Sequence, residues 1–340
     1  MKRIAAVLLI LLGLLSLNLS GGDRVRIATY NVENLFDMHY DGNEYSEYIP
    51  NTSWQWNPKN YKKKLNNIAD VIVDMNPDII TLQEIESLRA LKDLQKTLKQ
   101  KGLYFKYRAI ADAKNSTVKT ALLSRYPIQS KREIRVNQSR RYRNILEVKV
   151  IIDKKPLYIF VNHWKAKSGP ESMRIQSAKA LKKRLNQLGN VPYLITGDLN
   201  SHYEEYKLFL KKRKHNNTKG ITGINHKLKT LYNDKPVMLS NLKSCPNCAY
   251  NLWYEMPKKR RWTHNFYGKK EALDHMIISP ALHDGKGIEY IEGSFDRFVR
   301  DYLFHNRALY RWQKSRKHPK HHLGKGYSDH LPVFAEFIVL

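Results

Sequence analysis

The chain has 340 residues, with 60 Lys and Arg against 31 Asp and Glu and a formal net charge of +29. Hydrophobic residues at 42% and aromatics at 11% supply a large core, which excludes a disordered tail, a collagen-like repeat and a multi-span membrane protein. The charge is silent on fold but points to polyanionic partners: nucleic acid, acidic polysaccharide or an anionic membrane surface.

At the N-terminus, Lys2 and Arg3 precede an uncharged run from Ile4 to Leu17, followed by Asn18, Ser20, Gly21 and Gly22. This layout reads as a secretory signal peptide over residues 1–20, making the mature protein secreted or periplasmic, with no stable membrane association once the segment is cleaved. An uncleaved anchor is the alternative, although the run is shorter than the about 20 residues that span a bilayer. Arg26–Asn31 then reads as a strand. Leu65, Ile68, Ile72 and Met75 share a helical face that Pro77 closes, and Asp78–Glu84 is a short, mostly apolar strand. Leu88, Leu91, Leu94 and Leu98 mark a second helix ending before Gly102. Strands follow at Thr120–Ser124, Asn144–Ile152 and Leu157–Asn162, then a helix over about 171–188 and a strand at Tyr193–Thr196. Two late strands read at Leu273–Ser279 and Val333–Leu340. Strands alternating with helices, together with strands that follow one another directly, predict an α/β fold with mixed sheets. One domain over residues 22–340 is the simplest organisation, monomeric, with polar basic insertions at about 201–261 and 301–325. Cys245 and Cys248, the only cysteines, sit in a loop of an exported chain, which favours a small disulfide over a redox pair or half a zinc site.

The polar residues that end these strands form the chemical signal. Glu84 ends one, Asp198 and Asn200 another, and His163 follows a third; Asp274 interrupts a late strand, and Asp329 and His330 precede the last. Strand ends in α/β sheets converge on one edge, where such folds build sites. Carboxylates and Asn without Cys suit a hard cation such as Mg²⁺, and two histidines add proton transfer or charge stabilisation. There is no Gly-x-Ser-x-Gly elbow and no phosphate-cradling Gly-rich loop. The residues alone therefore indicate metal-assisted hydrolysis of a phosphate ester.

Tyr30–Asp37, Leu82-Gln83-Glu84, Asn162-His163-Trp164, Gly197–Asn200, Leu273-Asp274-His275 and Ser328-Asp329-His330 together resemble the endonuclease/exonuclease/phosphatase superfamily, closest to secreted bacterial DNase I-like nucleases. The resemblance implies a four-layer sandwich, two packed mixed β-sheets flanked by helices, with the site at one end. It implies Glu84 as the principal metal ligand, with Asn31 and Asp329 completing the metal environment. Asp198 would orient or deprotonate the attacking water, Asn200 would hold it and a phosphate oxygen, and Asp274 would orient His330 against the scissile phosphate. His163 would stabilise charge or assist the leaving oxygen, although the family's carboxylate partner for it has no clear match. Mg²⁺ is the implied cofactor, with Mn²⁺ as an alternative and a Ca²⁺ requirement open. Nucleic acid, DNA foremost, is the expected substrate. Lys211, Lys212, Arg213 and Lys214, then Lys258, Lys259, Arg260 and Arg261, and the run from Arg311 to His322, with Trp262 and Trp312 nearby, are expected to track a phosphate backbone and stack on bases. A sphingomyelinase-like phospholipase or another phosphoesterase of the same fold is the alternative reading; the former calls for an exposed apolar hairpin, and none is evident beyond the N-terminal run. A second alternative is a non-catalytic DNA-binding module.

Overall fold

A computed structural model describes residues 23–340 apart from 114, 115, 140 and 246; the expected signal segment lies outside the described residues. The chain begins with β1 (Arg24–Leu35), α1 (Pro58–Met75), β2 (Ile79–Ile85), α2 (Leu88–Gln100), β3 (Tyr107–Ile110) and β4 (Lys119–Ser124). It continues through β5 (Ile128–Ile134), β6 (Ile145–Ile152), β7 (Lys155–His163), α3 (Glu171–Leu188) and β8 (Tyr193–Asp198). The local reasons are conventional. The Asn57 side chain accepts the Asn60 amide at the start of α1, with Pro58 at its first position; Asn76, at φ 47°, ends it. Ser87 caps α2 in the same way through the Ala90 amide.

One sheet runs Ile288–Tyr290, Val333–Val339, β1, β2, β4, β3; the other runs Tyr250–Asn251, Asp274–Ile278, β8, β7, β6, β5. β1 and β2 are parallel, as are β7 and β8, while flanking strands pair antiparallel. Both sheets are therefore mixed. Alternation along the strands produces the layers. Val25, Ile27, Leu146, Val148, Leu157, Ile159, Leu194, Met276, Val333 and Ala335 share the core between the sheets. Ala28, Tyr30, Ile80 and Leu82 face the other way, against Ile68, Ile72, Leu91 and Leu94 of α1 and α2. Phe160, Tyr193, Ile195 and Ile277 likewise meet Ala178, Leu181 and Leu185 of α3. The order helix, sheet, sheet, helix is the predicted four-layer sandwich.

The structure corrects several boundaries. β1 runs on to Leu35 rather than stopping at Asn31, and Asp274 begins its strand instead of interrupting it. The segment over 201–261 is not a polar loop: it buries Tyr203, Phe209, Ile224, Leu228, Leu242, Leu252 and Trp253. Its Cys245 and Cys248 are joined in a disulfide and buried. In the loop over 311–322, Trp312 is buried among the aromatics behind the first sheet and donates from Nε1 to His322 Nδ1 at 2.8 Å, so it cannot stack on a base.

Candidate active site

Along each central strand, the face turned toward the opposite sheet changes from apolar to polar at one edge. In β1 it passes from Val25 and Ile27 to Thr29 and Asn31; in β2, from Ile79 to Thr81 and Gln83. In β7 it passes from Ile159 and Val161 to His163; in β8, from Leu194 through Thr196 to Asp198. Asp274 opens its strand directly opposite Asp198, and His163 also pairs with Asp198. Period-two geometry thus carries Asn31, His163, Asp198 and Asp274 to one end of the sandwich.

Glu84 breaks this parity and arrives by another route. Gln83 pairs with Thr120 and Ile85 with Lys119, so Glu84 is the extra residue of a bulge, at φ 68°. The neighbouring strand yields at the same level: pairing jumps from Asn31 to Leu35, with Glu33 and Asn34 at φ 51° and 64°. The bulge turns the Glu84 carboxylate inward, where Asn31 Nδ2 donates to Glu84 Oε1 at 3.3 Å and to Asp198 Oδ2 at 3.2 Å. Gly197, at φ 110°, lets β8 lie tight against β7: a Cβ there would sit 2.2 Å from the Asn162 carbonyl oxygen.

The resulting cleft has a volume of about 620 Å³. On its floor, His163 Nε2 lies 3.7 Å from Glu84 Oε1 and 3.6 Å from Asp198 Oδ2. His163 Nδ1 is buried without a hydrogen-bond partner among the described residues, as the missing carboxylate match implied. Burial holds His163 well below the ordinary imidazole range, so it is neutral. His330 is the opposite case. Desolvation alone would lower its pKa, but Asp274 Oδ2, 2.7 Å from Nδ1, outweighs that and raises it well above the ordinary value. Asp274 is itself held by the Thr263 hydroxyl at 2.5 Å. Burial raises Asp198 and Glu84 above the usual carboxylate range, and Asp329 adds to the effect on Glu84. Asn200 lines the same cleft; its amide N–H donates to Asp198 Oδ1 at 2.8 Å and its side chain to the Trp164 carbonyl at 3.2 Å.

The chemistry of the donors decides whether they fit a divalent cation. Asn31, Glu84 and Asp329 offer hard oxygens, and Glu84 has no Lys or Arg within ion-pair distance among the described residues. The tightest trio of potential ligands in the cleft is a different one, His264, Asp329 and His330, all within 4.8 Å. Two of its three members are imidazoles, which suit transition metals, whereas the oxygen set suits a hard cation such as Mg²⁺.

The structure adds residues to this site that the sequence does not assign there, although Glu33 lies in the Tyr30–Asp37 motif and Arg311 opens a basic segment. Glu33 accepts from Arg311 Nη2 at 2.6 Å and from the Trp312 amide at 2.9 Å, while Arg311 also meets Asp329 at 3.3 Å. Fully buried Lys64 donates to the Tyr327 carbonyl at 2.8 Å, fixing the turn before Asp329. Arg143, Lys167, His264 and Lys269 line the cleft. Of the basic residues singled out by sequence, Lys212 and Arg311 do so; Lys211, Arg213 and Lys214 are exposed away from its lining. Arg260 is held by Asp296 at 2.6 Å, and Arg261 by the Met256 and Tyr254 carbonyls, with its guanidinium over Tyr203 and Tyr254. Both lie outside the lining of the cleft, and each already has a protein partner. The structure also supplies the exposed aromatic hairpin that the sequence did not reveal: Phe266 and Tyr267, at the mouth of the cleft, are 57% and 94% exposed.

A family model described as Endonuclease/Exonuclease/phosphatase family matches residues 26–338. No curated protein sequence matches the chain. Among solved structures, an endonuclease/exonuclease/phosphatase family protein from Bacteroides thetaiotaomicron is similar at 14% identity, over 94% of this chain and 99% of that one, with a TM-score of 0.57. D. rerio TDP2 complexed with a single-strand DNA product is similar at 11% identity, over 92% and 98%, with a TM-score of 0.56. A mannosyl-6-phosphatase from Bacteroides thetaiotaomicron is similar at 14% identity, over 92% and 99%, with a TM-score of 0.54.

Proposed function

The chain belongs to the endonuclease/exonuclease/phosphatase family, and within it we propose an exported, Mg²⁺-dependent phosphodiesterase that hydrolyses nucleic acid, DNA foremost. The observation that carries this reading is the cleft itself. Carboxylates and two histidines of opposite protonation meet on its floor, and Arg143, Lys167, Lys212, Lys269 and Arg311 surround them. That cationic lining suits a substrate carrying phosphates beyond the one being cleaved. The net charge of +29 favours a polyanion, and the D. rerio TDP2 of this fold holds a DNA product. The disulfide and the basic, then apolar, N-terminus support export.

In the mechanism, Glu84, Asn31 and Asp329 would hold the cation, which when bound would supply positive charge to offset negative charge building on the phosphate. Asp198, whose raised pKa makes it a competent base near neutrality, accepts the proton of the attacking water. Asn200 positions that water beside Asp198. Protonated His330, held in orientation by Asp274, donates to a non-bridging phosphate oxygen. Neutral His163 faces the same phosphate through Nε2 and stabilises the displaced oxygen.

The test is hydrolysis of single-stranded DNA, plasmid, RNA, mannose 6-phosphate and sphingomyelin, with and without chelator. DNA cleavage that chelator abolishes, Mg²⁺ restores and Glu84→Gln lowers by several orders of magnitude is expected. Turnover of mannose 6-phosphate or sphingomyelin with nucleic acid untouched overturns the proposal.

A further inference from the structure

The hairpin at the mouth of the cleft pairs His264–Phe266 with Lys269–Glu271, Phe266 opposite Lys269. Its turn places Tyr267 at φ 46° and Gly268 at φ 83°. Two-residue turns with both φ values positive favour Asn-Gly or Asp-Gly, and a bulky aromatic at the first position is strained. Tyr267 is therefore costly to the turn, and at 94% exposure its ring recovers almost no burial energy. The ring must answer to something outside the fold.

Two further observations say what. First, the rings form a line from the floor of the cleft to solvent. His330 and His264 lie 4.8 Å apart, His264 and Phe266 6.3 Å apart at 14° between planes, and Phe266 and Tyr267 4.6 Å apart. Second, ammonium groups gather beside the hairpin in excess of their partners. Lys167 bridges Glu205 and Glu271 at 2.6 and 2.8 Å, and Lys269 pairs with Glu271 at 2.6 Å. Lys212 lines the same cleft as Lys269 and Phe266, with no carboxylate at ion-pair distance among the described residues. Cationic side chains lining one open cleft create a focus of positive potential for an anion.

We propose that Phe266, Tyr267, Lys212 and Lys269 form a nucleotide subsite flanking the scissile phosphate, in which the rings stack on an unpaired base and the lysine pair takes the adjoining phosphate. The subsite rests on the nucleic-acid reading above and deepens it: the preferred substrate is single-stranded or frayed polynucleotide, because a paired base within a duplex has both faces covered by its neighbours. Charge complementarity favours this over a lipid surface, since the lysines sit beside the rings at the cleft mouth.

The experiment compares kcat/KM on a short oligothymidylate and on bis(4-nitrophenyl) phosphate for the mature protein and two double variants, Phe266→Ala/Tyr267→Ala and Lys212→Ala/Lys269→Ala. Oligonucleotide affinity is measured in parallel in an Asp198→Asn background. The ring variant is expected to lose oligonucleotide kcat/KM at least about tenfold more than diester kcat/KM, and Phe266→Trp/Tyr267→Trp to restore it. The lysine variant should lower the log–log salt slope of oligonucleotide binding by about 0.7, one single-strand phosphate contact. Equal losses on both substrates overturn the subsite, as does unchanged oligonucleotide binding in a ring variant that no longer binds phosphatidylcholine–sphingomyelin vesicles. Wild-type protein that turns over the small diester but leaves every oligonucleotide intact fails the underlying nucleic-acid reading instead, so the two failures are distinguishable.

Discussion

Gly197 is the point where backbone geometry and catalysis can be tested together. It lies on β8 opposite Asn162 of β7, one residue before Asp198, which pairs with His163. An Ala Cβ at this position would lie 2.2 Å from the Asn162 carbonyl oxygen and 3.0 Å from its amide nitrogen. Ordinary contact is near 3.5 Å, so β7 and β8 must part by about 1 Å just where they present His163 and Asp198. Backbone atoms on both sides leave no flexible side chain to yield. The φ of 110° adds strain for any residue with a Cβ. Overpacking and backbone strain each cost about 1–3 kcal/mol, together about 2–6 kcal/mol, which in a chain of this size predicts a Tm lower by about 3–9 °C. A displacement of about 1 Å at reacting groups costs about 10²-fold in rate. Gly197→Ala should therefore lose at least about 10²-fold in kcat on bis(4-nitrophenyl) phosphate while circular dichroism still reports a folded protein. Gly102→Ala is the control: φ is 87° but nothing lies within 4 Å of the added Cβ, so a small stability loss with full activity is expected. Gly197→Ala activity within about threefold of wild type, with Tm within about 2 °C, would refute the reasoning.

Asp274→Asn should lower kcat by about 10²–10⁴-fold and move the alkaline limb of its pH profile to lower pH, because the charge that keeps His330 protonated is gone; an unmoved limb would place the active proton elsewhere. Burial alone would raise Glu271, but Lys167 and Lys269 outweigh it and hold the carboxyl down to about 2, so it should contribute stability that is complete above its ordinary value of 4.5 and lost as pH falls from there through about 2. Glu271→Gln should flatten that acid arm in a plot of Tm against pH, and an arm of unchanged steepness would count against the ion-pair cluster. Reducing the Cys245–Cys248 bridge, or replacing both with Ser, closes no large loop and should cost at the low end of about 0–5 kcal/mol, with diester turnover retained; loss of turnover would tie that annex to the cleft.

The central strands were legible because each carries an uninterrupted apolar alternation that only a two-faced buried strand explains. β5 was not: Gln129, Ser130, Lys131, Arg132 and Glu133 present an exposed edge, where pairing rather than burial holds the strand. The extension of β1 to Leu35 depends on two residues at positive φ, and neither Glu33 nor Asn34 announces that conformation. The basic segments misled for a related reason. Sequence reveals a charge but not its partner: Arg260 pairs with Asp296 and Arg261 donates to backbone carbonyls, whereas Lys212 has no carboxylate at ion-pair distance among the described residues. Trp312 looked like a stacking residue until Glu33, far away in sequence, captured its amide and turned the indole into the core.

The site residues themselves divide by the same physics. Asn31, His163, Asp198 and Asp274 occupy positions of inward parity, so a polar residue there, past the end of an apolar run, could only face the gap between the sheets. Glu84 has the opposite parity and would be assigned to the helix side of its sheet; the bulge alone brings it in, at the cost of a positive φ. That cost is informative. Glu33, Glu84, Asp198, Asp274 and Asp329 converge on one floor, answered by Lys64, Arg311 and His330, with Arg143 farther out on the rim. Burial raises Glu33, Glu84 and Asp198 above the ordinary carboxylate range, so the fold on its own leaves these charges under-compensated. In a chain carrying a net +29, more basic side chains could have been supplied at that floor, yet they line the walls instead. A strained bulge that adds one more carboxylate to an acid-rich floor costs the protein stability, and it is explained if a divalent cation would complete the balance, leaving a neutral floor, with the basic walls around it, to an incoming phosphate.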